Sequence, residues 1–181
     1  MSNGSSARAP RSALVITASD GVAAGVREDI SGERVGERLT ALGFAVERRV
    51  VPDDRAAIAA ALRDAADRYP LVVTTGGTGL TPRDVTPQAT LEVIDDEVPG
   101  LAEVMRAAGR ASTPFADLSR GVVGVRGRTL IVNLPGSPKG AVESLDAMSA
   151  VLEHALDTLA GPYDHAITPA PGGAPTGDLD S

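Results

Sequence analysis

Three short runs of β-branched and small apolar residues punctuate the first half of the chain: SALVITAS (12–19), FAVERRVV (44–51) and LVVTT (71–75). Between them lie segments with helical spacing. In SGERVGERLTALG (31–43), Val35, Leu39 and Leu42 share one face, with Ser31 as the expected cap and Gly43 as the stop. In DDRAAIAAALRDAADRY (53–69), Ile58, Leu62 and Ala65 do the same. Strands that alternate with helices form parallel pairs through crossover connections. The expected fold is therefore α/β: three layers, doubly wound, with a mostly parallel sheet and helices on both faces.

The second half adds TPQATLEVIDDEV (86–98) as a helix, with Thr86 at the cap and Pro87 in the first turn, and PGLAEVMRAAGR (99–110) as another. GVVGV and RTLIVNLP read as a short antiparallel hairpin around an Arg126-Gly127 turn. The last helix carries an apolar stripe at Leu145, Met148, Leu152, Leu156 and Leu159. Residues 1–11 read as a flexible leader, 12–161 as one domain, and 162–181 as a Pro/Gly-rich acidic tail.

Composition excludes several functions. The formal net charge is -7 with no basic run, so neither nucleic acid nor an anionic membrane is an expected partner. There is no cysteine, hence no disulfide, thiolate metal site or Cys nucleophile. His154 and His165 are the two histidines, without ligand spacing. No signal peptide or membrane span is expected, which is compatible with the cytoplasm.

The chemistry concentrates in loops at strand ends. In VVTTGGTGLTPRDVTP (72–87), Thr75, Gly76, Gly77, Thr78 and Gly79 offer backbone amides and hydroxyls suited to a phosphate, although a tight strand-to-helix turn explains the glycines equally simply. Asp84, between Pro82 and Pro87, suits Mg²⁺ beside substrate phosphates, or merely an Asx turn; Arg83 suits a phosphate, or Asp84. Asp53 in VVPDDR reads as a metal carboxylate or as a helix N-cap. In NLPGSPKGAV, Gly136, Ser137 and Lys139 open a helix whose start suits an anion or is only well capped. Ser119, in DLSRG, sits in an ordinary loop. No Ser-His-Asp spacing, nucleophile elbow or HExxH motif supports covalent catalysis.

Together, TTGGTGLTPRDVTPQAT, LSRGVVGVRGRTLIVNLPGSPKG, VVPDD and ITASDG…GVREDISG resemble the MogA/MoaB family of molybdenum cofactor biosynthesis, which includes the G domain of gephyrin, over about residues 12–161. The resemblance implies adenylylation of molybdopterin by ATP, with pyrophosphate released and Mg²⁺ required. It implies Asp53 and Asp84 as catalytic and metal-binding residues. Thr75, Gly76, Gly77, Thr78, Gly79, Ser119, Gly136, Ser137 and Lys139 become substrate-binding. It also implies a homotrimer, hexameric in some members, and contact with the molybdate-insertion protein. The alternative within the family is a non-catalytic MoaB-type molybdopterin-binding or scaffold protein.

Overall fold

The computed structural model describes residues 10–66 and 68–162. Residues 1–9 of the expected leader, most of the expected tail and His165 lie outside the described residues. Arg11 is held: it pairs with Asp157, and its Nη1 donates to the Glu153 carbonyl at 3.3 Å.

Six strands form one sheet in the order β2-β1-β3-β6-β5-β4. They are β1 (Ser12–Ala18), β2 (Ala45–Val51), β3 (Leu71–Thr75), β4 (Asp96–Glu97), β5 (Val123–Arg126) and β6 (Thr129–Leu134). The first three and β6 run parallel, while β5 and β4 are antiparallel additions. Both edges are charged: Glu47, Arg48 and Arg49 on β2, Asp96 and Glu97 on β4. Charges on an edge discourage pairing with another chain.

The buried strands point alternate residues to opposite faces. Ala13, Val15, Leu71, Val73, Leu130 and Val132 meet the helices α2 (Ile30–Ala41), α5 (Pro99–Arg110) and α6 (Pro138–Ala160). Leu14, Ile16, Val72 and Ile131 meet α3 (Arg55–Ala66) and α4 (Thr86–Leu91). The α6 stripe is as expected: Leu145, Met148, Leu152 and Leu156 are buried and Leu159 packs against them. Val35, Leu39, Ile58, Leu62 and Ala65 are fully buried on their helices. The three-layer architecture is the expected one.

Several local expectations change. The cap of α2 is Asp29, not Ser31: its carboxylate accepts from the Gly32 amide at 3.0 Å and from the Thr17 hydroxyl at 2.9 Å. Ser31 lies inside the helix. α4 ends at Leu91, well short of residue 98, because the chain turns to pair β4 with β5. Val85 is its cap position and contributes no side-chain bond; Thr86 is the first helical residue, and its buried hydroxyl has no partner among the described residues. Arg126 pairs with Thr129, so the hairpin turn is Gly127-Arg128. A short helix α1 (Asp20–Ala23) and a 3₁₀ turn at Pro114–Leu118 fall where the sequence suggests only loop.

Asn133, one of the few polar residues in the sheet interior, ties the layers together. It is 1% exposed. Its amide nitrogen donates to Thr74 Oγ1 at 3.0 Å and Thr90 Oγ1 at 2.9 Å, and its oxygen accepts from the Val122 amide at 3.3 Å. One side chain thus joins β6, β3, α4 and the approach to β5. Removing it orphans buried partners, which costs more than the net value of the bonds. Asn133→Ala is expected to lower unfolding stability by about 2–4 kcal/mol, read as a lower urea midpoint at constant m-value.

Candidate functional site

The sheet has a switch point between β1 and β3. The chain leaves β1 toward β2 on one side and leaves β3 toward the β6 side on the other. Loops at the carboxyl ends of such neighbours diverge and leave a crevice. Here the loops after β1, β3 and β6 surround two hollows.

The first hollow, of about 380 Å³, lies over β3 and β6. Thr78, Gly79, Ser119, Ser137 and Asn133 line its polar side, while Met105, Phe115 and Leu118 line an apolar one. The second, of about 370 Å³, lies between β1 and β3. Asp53, Thr75, Gly76, Arg27 and Arg83 are among its walls. Gly77, Asp84 and Gly136 line both. Of the expected site residues, Lys139 alone lines neither. Its ammonium stands 3.4 Å from Glu143 and 3.5 Å from the Ser112 hydroxyl.

The ridge between the hollows is backbone. Gly76 has φ +95 and Gly77 φ +65, both in the region that glycine enters without strain. A Cβ on Gly76 would stand 2.5 Å from the Ala18 carbonyl oxygen, and one on Gly77 would stand 2.3 Å from Thr86 Oγ1. Thr75, beneath them, is 1% exposed. Its hydroxyl donates to the Pro135 carbonyl at 2.9 Å. Its single proton is then committed, so the Ser31 hydroxyl, 2.5 Å away, is the donor in their contact. Ser31 therefore links α2 to β3 in place of the expected cap. Ser137 does cap α6, accepting from the Gly140 amide at 3.2 Å.

Asp84 closes a turn of its own loop. Its Oδ2 accepts from the Thr81 amide at 2.8 Å and the Thr81 hydroxyl at 2.6 Å. Burial pushes the carboxyl up, but the bonds from the Thr81 hydroxyl and amide and the Gly79 amide, with the Arg120 charge, outweigh it. Asp84 titrates below the usual carboxylate range. Arg120 spans the same turn from outside. Its Nε donates to the Gly79 carbonyl at 2.7 Å, another guanidinium nitrogen donates to the Asp84 carbonyl, and its amide donates to the Thr78 carbonyl at 2.9 Å. Lysine cannot make such a planar, two-pronged contact.

Asp53 is not a helix cap. That role falls to Asp54, whose Oδ1 accepts from the Ala57 amide at 2.8 Å. Asp53 instead exchanges bonds with Asp20: each carboxylate accepts from the other's amide at 3.0 Å. Asp20 also pairs with Arg83, so the partner of that arginine is Asp20 rather than Asp84. Burial and then the Asp84 charge raise the Asp53 pKa. Among the described residues no group of three or more carboxylates or histidines can hold a metal. The donor set is a pair of mutually repelling carboxylates. That fits Mg²⁺, which takes one or two carboxylates and keeps its other positions for water and phosphate.

No local pattern marks Arg120, Asn133 or Asp20 for the site. All three act on residues distant in the chain.

Two outcomes follow from these charges. The fold raises the Asp53 pKa above its unfolded value, so stability falls as pH rises between the two and stays lower above them. Asp53→Asn is therefore expected to raise Tm at pH 7. The gain should vanish in acid, where the wild-type carboxyl is itself neutral. Arg120→Gln is expected to raise the Asp84 titration midpoint toward the ordinary carboxylate value, followed by carbon NMR of the carboxyl.

A family model described as "Probable molybdopterin binding domain" matches residues 14–154. The molybdopterin adenylyltransferase of Helicobacter pylori (strain J99) is 41% identical over 156 residues, covering 82% of this chain and 88% of its own. That of Escherichia coli (strain K12) is 38% identical over 166 residues, covering 82% and 85%. Among solved structures, the molybdopterin biosynthesis enzyme MoaB of Thermus thermophilus superposes with a TM-score of 0.78 at 52% identity, covering 82% of this chain and 96% of its own. The Mog protein of Mycobacterium ulcerans gives a TM-score of 0.78 at 46% identity, covering 82% and 99%. With the match running from β1 into the last turns of α6, the chain belongs to the molybdopterin-binding-domain family of molybdenum cofactor biosynthesis.

Proposed function

We propose that the protein is a molybdopterin adenylyltransferase: ATP and molybdopterin give adenylyl-molybdopterin and pyrophosphate. The observation that carries this is the shared wall. Two hollows of similar size meet at Gly77, Asp84 and Gly136. Two substrates held there have their reactive ends side by side at one carboxylate.

In this reading the terminal phosphate oxygen of molybdopterin forms the new bond to the α-phosphorus of ATP, and the bond to the pyrophosphate oxygen breaks. No enzyme group is adenylylated in this reading, in keeping with a sequence that has no Ser-His-Asp spacing, nucleophile elbow or cysteine. The work is positioning and charge neutralisation. Thr75, Gly76, Gly77, Thr78 and Gly79 present the ridge against which the phosphates rest. Gly136 and Ser137 present the start of α6, and Ser119 the wall of the first hollow. Asp53 and Asp84 would hold Mg²⁺, which would supply neutralisation of phosphate charge. Lys139, at the first turn of α6, would add long-range attraction rather than a contact within either hollow.

The same reading brings with it a homotrimer or hexamer, contact with the molybdate-insertion protein, and work in the cytoplasm. No helix among the described residues is long and apolar enough to cross a membrane.

The test is a pyrophosphate-release assay with molybdopterin, ATP and Mg²⁺. Asp84→Asn is expected to lower turnover about a hundredfold or more while molybdopterin binding persists. Tight molybdopterin binding by the wild type with no pyrophosphate release would instead indicate a non-catalytic MoaB-type binding protein.

A further inference from the structure

The second hollow is acidic for a place meant to receive phosphates. Glu28, Asp29, Asp53 and Asp84 line it against two guanidiniums, Arg27 and Arg83. The two arginines differ. Arg83 is engaged by Asp20. The Arg27 guanidinium makes no hydrogen bond or ion pair with any described residue.

Arg27 is nevertheless placed. Its amide and that of Val26 both donate to the Gly21 carbonyl, at 3.0 and 2.9 Å, after a turn at Gly25 with φ +71. Its aliphatic stem lies against Gly21, where a Cβ would come within 3.0 Å of Cδ and 3.3 Å of Cγ. The residue is exposed, and its guanidinium, without a partner among the described residues, is open to a ligand in the hollow, while the contact of its stem with Gly21 limits the directions it can take.

We propose that Arg27 is a substrate-binding residue for the polyphosphate of a metal-bound nucleotide in the second hollow. The inference rests on the nucleotidyl-transfer reading and adds the residue that grips the departing end. The charge balance selects the ligand. A bare monophosphate would meet more carboxylates than cations. For a polyphosphate carrying its own dication, Asp53 and Asp84 would hold the dication and Arg27 would meet phosphate oxygens with its guanidinium fork. Asp29 makes no hydrogen bond or ion pair with Arg27: its oxygens accept from the Thr17 hydroxyl and the Gly32 amide, and Arg48 stands 4.0 Å from it.

Isothermal titration of the whole protein with inorganic pyrophosphate and Mg²⁺ tests this without turnover. Arg27→Ala is expected to bind at least about tenfold more weakly, with Arg27→Lys between it and wild type. Arg34→Ala, on the exposed side of α2, controls for net charge and is expected to bind like wild type. Steady-state assays should show Arg27→Ala raising KM for ATP with little change in kcat. Pyrophosphate affinity in Arg27→Ala equal to that of Arg34→Ala overturns the assignment, as does a wild type that binds no magnesium pyrophosphate. A wild type that binds it through Arg27 yet releases none from ATP in the presence of molybdopterin overturns the adenylyltransferase reading and leaves the Arg27 site standing.

Discussion

The arrangement depends on one steric fact: just past the carboxyl ends of β1, β3 and β6 the backbones meet at glycines, with no room for a Cβ on Gly76. The β3 end passes the Ala18 carbonyl so closely that a Cβ on Gly76 would stand 2.5 Å from its oxygen. From the other side, a Cβ on Gly136 would stand 3.3 Å from the Gly76 Cα. Because the ridge is this thin, the hollows on its two sides share Gly77, Gly136 and Asp84 as lining. A larger residue at Gly76 would push β1 and β3 apart where their parallel register, Thr17 beside Thr75, ends. The glycines therefore do more than permit a turn: they set the distance between the two hollows.

The fold was legible because its central strands are buried on both faces and its helices carry unambiguous stripes. Val72, Val73 and Leu71 are all at 0% exposure, and a continuous apolar run is the expected signature of such a strand. The errors lie where a long-range contact overrides a local preference. Ser31 is a sound cap by type, but Asp29 offers a charged acceptor to the Gly32 amide and is steadied by Thr17, back on β1. The TLEVIDDEV pattern continues helically past Leu91, yet Asp95 and Val98 donate backbone bonds to Val125 and Val123 and draw the chain into the sheet. Nothing in two acidic residues, Asp96 and Glu97, signals a strand.

The loops that line the two hollows stand out in the sequence, and the residues that hold them in place do not. Glycine-rich loops and aspartates at strand ends stand out in a sequence because composition marks them. What fixes their positions does not stand out. Arg120 reaches the Gly79 carbonyl across 41 positions and Asn133 reaches Thr74 across 59. Each is an ordinary polar residue in an ordinary context until the sheet brings the partners together. The choice between cap and site residue at Asp53 is open in the sequence for the same reason. It turns on Asp20, 33 positions earlier, whose amide and carboxylate draw Asp53 away from the helix and leave capping to Asp54.

The two carboxylates are unequal, and the inequality follows from their supports. Asp84 has donors from Thr81 and Gly79 and a guanidinium nearby, so it stays charged despite burial. The Asp53 carboxylate is supported by the Asp20 amide, and it bears the repulsion of Asp84 in addition to burial. Folding alone would be served better by a neutral residue at 53. A carboxylate retained against that cost is characteristic of a place where the missing charge arrives with a ligand. If Asp53 and Asp84 hold Mg²⁺ as proposed, the ion would offset the repulsion and lower the Asp53 pKa, so protons would compete with it for the same oxygens. Acid would then weaken the proposed Mg²⁺ binding through Asp53 first, while Asp84, held by its own loop, remains ionised to lower pH.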